Sequence, residues 1–142
     1  MPRTKADWLR SGALYTERPG LATIDEVIEG DNVTVEVTLA YGTEAYVGRA
    51  HGESSASHRP RLVGEATLRA IELVTGGRVS LDLAAIGTTE LGPAQIALAQ
   101  VYEQGWSDYL IGSALIRQTD PSSATAKAVL DAVNRRVARA ML

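Results

Sequence analysis

The residues best suited to chemistry crowd one short stretch. His51 and His58, the two histidines of the chain, flank Glu53, and Arg59 and Arg61 follow. A helix is expected to open just after this stretch. Its free N–H groups and the positive end of its dipole would favour a carboxylate, which the arginines would clamp. Gly48 and Gly52, at the preceding strand end, complete the candidate site: Gly48, His51, Gly52, Glu53, His58, Arg59 and Arg61. The ligand such a site suits is a small amino or organic acid. The same residues also compose an ordinary solvated loop, because loops gather polar side chains whether or not they bind anything.

Other chemistries fit less well. His51 and His58, with Glu53 between them, have a spacing that matches no established zinc pattern, so no metal site is expected. Ser54, Ser55 and Ser57 lie near both histidines in sequence, but nucleophilic catalysis also needs an orienting carboxylate, and a serine-rich loop is more simply a loop. No catalytic residue and no cofactor are assigned. The Gly48-x-x-x-Gly52 spacing lacks the Lys-Ser/Thr of a phosphate loop. Gly48 and Gly112 are better explained as points where a helix crosses a sheet too closely for a side chain.

Composition narrows the partners. The chain has 142 residues, 45% of them hydrophobic and 22% charged, enough for one domain with a substantial core. A net charge of -3 argues against nucleic acid, whose affinity comes mainly from basic residues on phosphate. Cysteine is absent, which removes disulfides and thiolate chemistry and suits a reducing compartment. No apolar run reaches a membrane span, and residues 1–12 lack the apolar run of a signal peptide; no membrane association and a cytoplasmic location are the expectations. With 5% aromatics and no phenylalanine, the interior must be built from Val, Leu, Ile and Ala. Small side chains bury little area at roughly 25 cal/mol per Å², so a homodimer that completes the burial is expected.

The elements that must position these residues occur twice. Tyr46 to Ala50 followed by Ala66 to Ile71 is echoed by Leu110 to Ala114 followed by Ala128 to Val133, so that Gly48 answers to Gly112 and Ala66 to Ala128. The loop between strand and helix is slightly shorter in the second copy. After a leader at 1–20, with a short turn at Asp7-Trp8-Leu9, a weak strand is read over 21–29 and a strictly alternating one over 33–39. A third strand spans 44–52. The first helix opens near Pro60 and ends at Gly76-Gly77.

In the second half, strands are read over 79–86 and 94–102, with a loop between Gly87 and Gly92-Pro93. The 94–102 strand is apolar on both faces, which predicts cover on both. Glu103-Gln104-Gly105 turns the chain into a strand over 109–116, and Asp120-Pro121 opens a helix to about Met141. Arg135, Arg136 and Arg139 near its end read as solvated, dipole-compensating charges. Trp106 in the turn is either an exposed interface anchor or a cover for the sheet end. The fold class is α+β: βββα-βββα, two repeats of about 21–77 and 78–142 forming one domain, with helices packed on antiparallel sheet.

These residues resemble a known family. Gly112, Ala114, Asp120, Ala124, Ala128, Ala132 and Asn134 match the closing motif of the C-terminal regulatory domain of 2-isopropylmalate synthase and its homocitrate and citramalate synthase relatives. That motif is a G-x-G strand, then a helix opening with Asp and continuing with Ala every four residues to an Asn. In the first half Gly48, Ala50 and Gly52 fit the glycine-rich strand end, while Glu53 to Pro60 replaces the family's helix start. The resemblance implies a noncatalytic domain that dimerises and binds a branched-chain amino acid as feedback inhibitor, behind a catalytic barrel. With no barrel in these residues, a freestanding relative is expected. Inhibitor binding is not carried over, since the departing loop is the one that would shape the pocket.

The expected function is therefore a noncatalytic small-molecule-binding or regulatory module. The alternative is a structural or protein-interaction domain without a ligand, with a small enzyme of unfamiliar type third.

Overall fold

The computed structural model describes residues 18–117 and 120–142; most of the leader, with its turn at Asp7-Trp8-Leu9, lies outside them. The chain runs β1 (Gly20–Glu29), β2 (Asn32–Tyr41), β3 (Glu44–Glu53), α1 (Arg59–Val74), β4 (Leu81–Leu91), β5 (Ala94–Glu103), β6 (Tyr109–Leu115) and α2 (Pro121–Ala140). This is the βββα-βββα order. The strands form two antiparallel meanders, β1-β2-β3 and β4-β5-β6. No helix among the described residues is long and apolar enough to cross a membrane.

Alternation in β2 translates directly into burial. Val33, Val35, Val37 and Leu39 are fully buried, while Thr34, Glu36 and Thr38 between them face outward. In β5, Ala97, Ala99 and Val101 take the same inward role. The inner faces of both sheets and both helices enclose one continuous hydrophobic cluster. Each helix lies on the second and third strands of its own sheet and reaches the first strand of the other, α1 touching β4 and α2 touching β1. The repeats therefore share a core.

Three features differ from the sequence reading. β1 is a full-length strand, from Gly20 to Glu29, where the sequence signal is weak, because pairing along β2 supplies the order that its own pattern lacks. β4 continues through Gly87 to Leu91 instead of breaking into a loop, since Gly87 pairs with Leu98 and only Gly92-Pro93 turns the chain. Gly30 and Gly92 take φ of 62° and 58° at the first turn position of the hairpins Glu29 to Asn32 and Leu91 to Ala94. Third, β5 is not covered on both faces: its outer Leu98 is 36% exposed, and no other element among the described residues packs over that face.

The internal repeat extends to its irregularities. Ladder register shifts between Leu21 and Thr23 in β1 and between Leu83 and Ala85 in β4, equivalent places in the two repeats. The glycines at the helix crossings are equivalent too. A Cβ on Gly48 would collide with the carbonyl of Ala66 and the amide of Ala70, and one on Gly112 with the carbonyl of Ala128 and the amide of Ala132. All of these neighbours are main-chain atoms, so no side chain can swing aside.

Gly48→Ala and Gly112→Ala should each destabilise the fold by about 1–3 kcal/mol, the range for forcing an extra carbon into a packed interior. Denaturant unfolding measures this. Two unequal losses would show that the two crossings are not equivalent, and no loss at either would show that a methyl group fits.

Candidate functional site

The structure separates the residues that the sequence brings together. Along β3, Gly48 and Gly52 face α1, and a Cβ on Gly52 would lie 2.9 Å from a Leu62 methyl. His51 points the other way, to the open face, where its Nδ1 meets Thr34 Oγ1 at 2.9 Å across the β2–β3 pair. Beside it Arg49 Nε donates to Glu36 Oε2 at 2.8 Å. Glu53 ends the strand, exposed and opposite Asn32. His58 occupies the N-cap position of α1 without capping it; its Nδ1 lies 2.6 Å from Ser55 Oγ. The two histidines thus serve opposite faces of the sheet, a consequence of the period-two alternation that ends in the helix-side loop.

The arginines are committed. Arg61 Nη2 donates to the Leu83 carbonyl at 2.9 Å and its Nε pairs with Glu65 at 3.2 Å. Arg69 Nη2 donates to the Leu81 carbonyl at 2.6 Å, and Glu72 Oε2 accepts from the Leu81 amide at 2.9 Å. Together Arg61, Arg69 and Glu72 satisfy backbone groups of Leu81 and Leu83 at the start of the outer edge of β4. Arg61 therefore belongs to the architecture and not to an anion clamp.

Arg59 of the candidate set lines a cavity. Its Nη1 pairs with Glu26 Oε2 of β1 at 2.6 Å, while its Nε is buried without a hydrogen-bond partner. The cavity, about 350 Å³, lies between the two helix starts, with Arg59 and Pro60 from one and Pro121, Ser122 and Thr125 from the other. A neighbouring space of about 660 Å³ follows β1 from Leu21 to Glu26 and ends on Asp120 and Ser123. Sequence reasoning missed the contributions of Glu26, Ser122 and Thr125. The signal was present in the two Pro-led helix starts, but only tertiary packing sets them side by side.

The motif residues of the second half hold structural posts. Ala124, Ala128 and Ala132 are buried on one face of α2, and Ala114 packs against the same core. Asp120 is the N-cap, accepting from the Ser123 amide at 3.0 Å and from the Ser123 hydroxyl. Those two donors hold its carboxyl below the ordinary carboxylate value. Asn134 keeps a buried Oδ1 without a partner. Its counterpart in the first repeat is Glu72, which accepts the Leu81 amide; the strand position corresponding to Leu81 is Pro19, which has no N–H to give.

Arg136 departs from the expected solvated helix end. It forms a two-pronged ion pair with Glu103 at 2.7 and 2.8 Å, and Glu103 is 6% exposed. Its guanidinium carbon also lies 5.5 Å from the centre of the Trp106 ring. No group of three or more His, Cys, Asp or Glu placed to hold a metal exists among the described residues.

Replacing Asp120 by Ala should cost about 1 kcal/mol at neutral pH, the usual value of an N-cap. Because the folded carboxyl is held below its unfolded value, its contribution is complete above pH ~4 and disappears as pH falls through the folded pKa. Unfolding curves of both proteins from pH 7 to pH 2.5 should converge at the acid end; a constant gap would assign the loss to something other than the charged cap.

Comparison with protein-family models gives no match for the chain, and comparison with curated proteins gives none.

Proposed function

We propose that the protein is a noncatalytic small-molecule-binding or regulatory module, dimeric, and similar in plan to the amino-acid feedback domain of 2-isopropylmalate synthase. The observation that carries this reading is the cavity between the helix starts. Two helix N-termini converge on it, and Arg59, whose Nη1 is paired with Glu26, lines its wall. A small amino or organic acid would set its carboxylate toward the Arg59 guanidinium, favoured by the dipole ends and by the Ser122 hydroxyl. This keeps the acid ligand and the helix-start location inferred from the sequence, and moves the partners from His51, His58 and Arg61 to Arg59 and the start of α2.

The alternative, a protein-interaction domain without a ligand, draws support from a different surface. The open face of the first sheet carries Thr34, Glu36, Thr38, Arg49 and His51, whereas that of the second carries Ile96, Leu98, Ile111 and Leu115. Ile111 and Leu115 are 58% and 52% exposed. Contiguous apolar surface of this kind marks a protein contact, and self-association through it would serve either reading.

Branched-chain amino acids and related organic acids, screened by thermal shift, should include one that stabilises the protein saturably. At a hundred times its Kd the gain would be about 2.7 kcal/mol. Arg59→Gln should abolish the response, and His51→Ala with His58→Ala should leave both fold and response in place. Silence across the whole panel would sink the ligand reading.

Light scattering should give twice the 15.1 kDa chain mass. Leu98→Lys with Ile111→Lys should halve it, and a monomeric parent protein would refute the dimer.

A further inference from the structure

The cleft beside Trp106 has no part in the site between the helix starts, and we infer that it is a second binding site, for a small monoanionic carboxylate with an apolar or aromatic body. The cleft measures about 300 Å³, at the lower end of ligand pockets, and lies between the β5–β6 connection and the last turns of α2. Trp106 and Leu110 give it an apolar wall, and Arg135, Arg136 and Arg139 give it cationic groups.

The charges are not equivalent. Arg136 is matched by Glu103 and fixed under the indole, so it serves as a rigid floor. Arg135 and Arg139, spaced i and i+4, project from one side of α2 and make no ion pair among the described residues. With Glu103 and Arg136 cancelling, the two free arginines face one acid, Asp108, which leaves a single net positive charge. That balance favours one carboxylate and disfavours a doubly charged anion. Arginine forks suit a planar carboxylate, and the indole face beside them suits an apolar or aromatic body.

The repeat supplies an independent argument. Counterparts of Glu103, Arg135, Arg136 and Arg139 in the first repeat are Tyr41, Leu73, Val74 and Gly77. The turn between β2 and β3 is Gly42-Thr43, whereas the connection between β5 and β6 runs from Gln104 to Asp108 and carries Trp106. The first repeat folds on the same plan with none of these groups, so the scaffold does not require them. The favourable placement of Arg139 at a helix C-terminus explains its sign, but not the longer turn that brings an indole to meet it.

The test uses the full chain with Trp8→Phe, which leaves Trp106 as the single indole emitter. Titration with phenylacetate should give a saturable change in its fluorescence, confirmed by calorimetry. Phenylacetamide, the neutral isostere, should bind at least tenfold more weakly, and inorganic phosphate should not compete. Arg135→Gln with Arg139→Gln should weaken phenylacetate at least tenfold with an unchanged circular dichroism spectrum. Absence of a saturable change, equal affinity for the amide, competition by phosphate, or undiminished binding by the double variant would each overturn the site. A response that survives in the double variant but vanishes with Arg59→Gln belongs to the helix-start cavity; it overturns this site and leaves that reading standing.

Discussion

Two backbone-on-backbone contacts set the geometry of the whole domain. Where α1 passes Gly48 and α2 passes Gly112, helix and strand approach so closely that a single methyl group has no room. On the second sheet that spacing brings the alanine face of α2 down onto the small inward residues Ala97 and Ala99. An interior poor in aromatics can then reach the close packing that proteins need, because contact area lost through small side chains is recovered by proximity. Each helix also touches the opposite sheet, which joins two meanders that share no strand pairing.

How much of this is legible in the sequence depends on whether the signal is local. Strict alternation in β2 and the Asp120-Pro121 helix start are short-range patterns, and both lead to the observed elements. The glycines at 48 and 112 are legible because the repeat places them alike against an Ala-rich helix. The full extents of β1 and β4 are not, since ladder pairing with β2 and β5 overrides weak local propensity. The candidate site suffers most. Proximity along the chain from His51 to Arg61 says nothing about face, and one reversal at the strand end sends His51 to one side and Arg59 to the other. Committed partners such as Leu83 for Arg61 lie far along the chain, beyond any local pattern.

The repeats diverge where the core makes no demand. Inward positions are interchangeable valine, leucine and alanine, but the outward residues of β2 are Thr34, Glu36 and Thr38 whereas β5 turns Ile96 and Leu98 outward. At the helix ends, Leu73 and Val74 in one repeat become Arg135 and Arg136 in the other. Duplication of a fold supplies two surfaces under one set of packing constraints, so each surface is free to differ, and such differences are where specific chemistry can be added without cost to the interior.

The side-chain clamp of Arg61, Arg69 and Glu72 on β4 bears on folding as well as on architecture. It joins a helix of the first half to a strand of the second, across the short connection through Gly76 and Gly77. Neither half made alone would possess its full set of partners, so the two must order as a cooperative unit. Every one of those contacts would form equally well between halves donated by separate molecules. The segment from Thr75 to Ser80 that links α1 to β4 is thus the one whose length and flexibility decide between a closed chain and an exchanged pair.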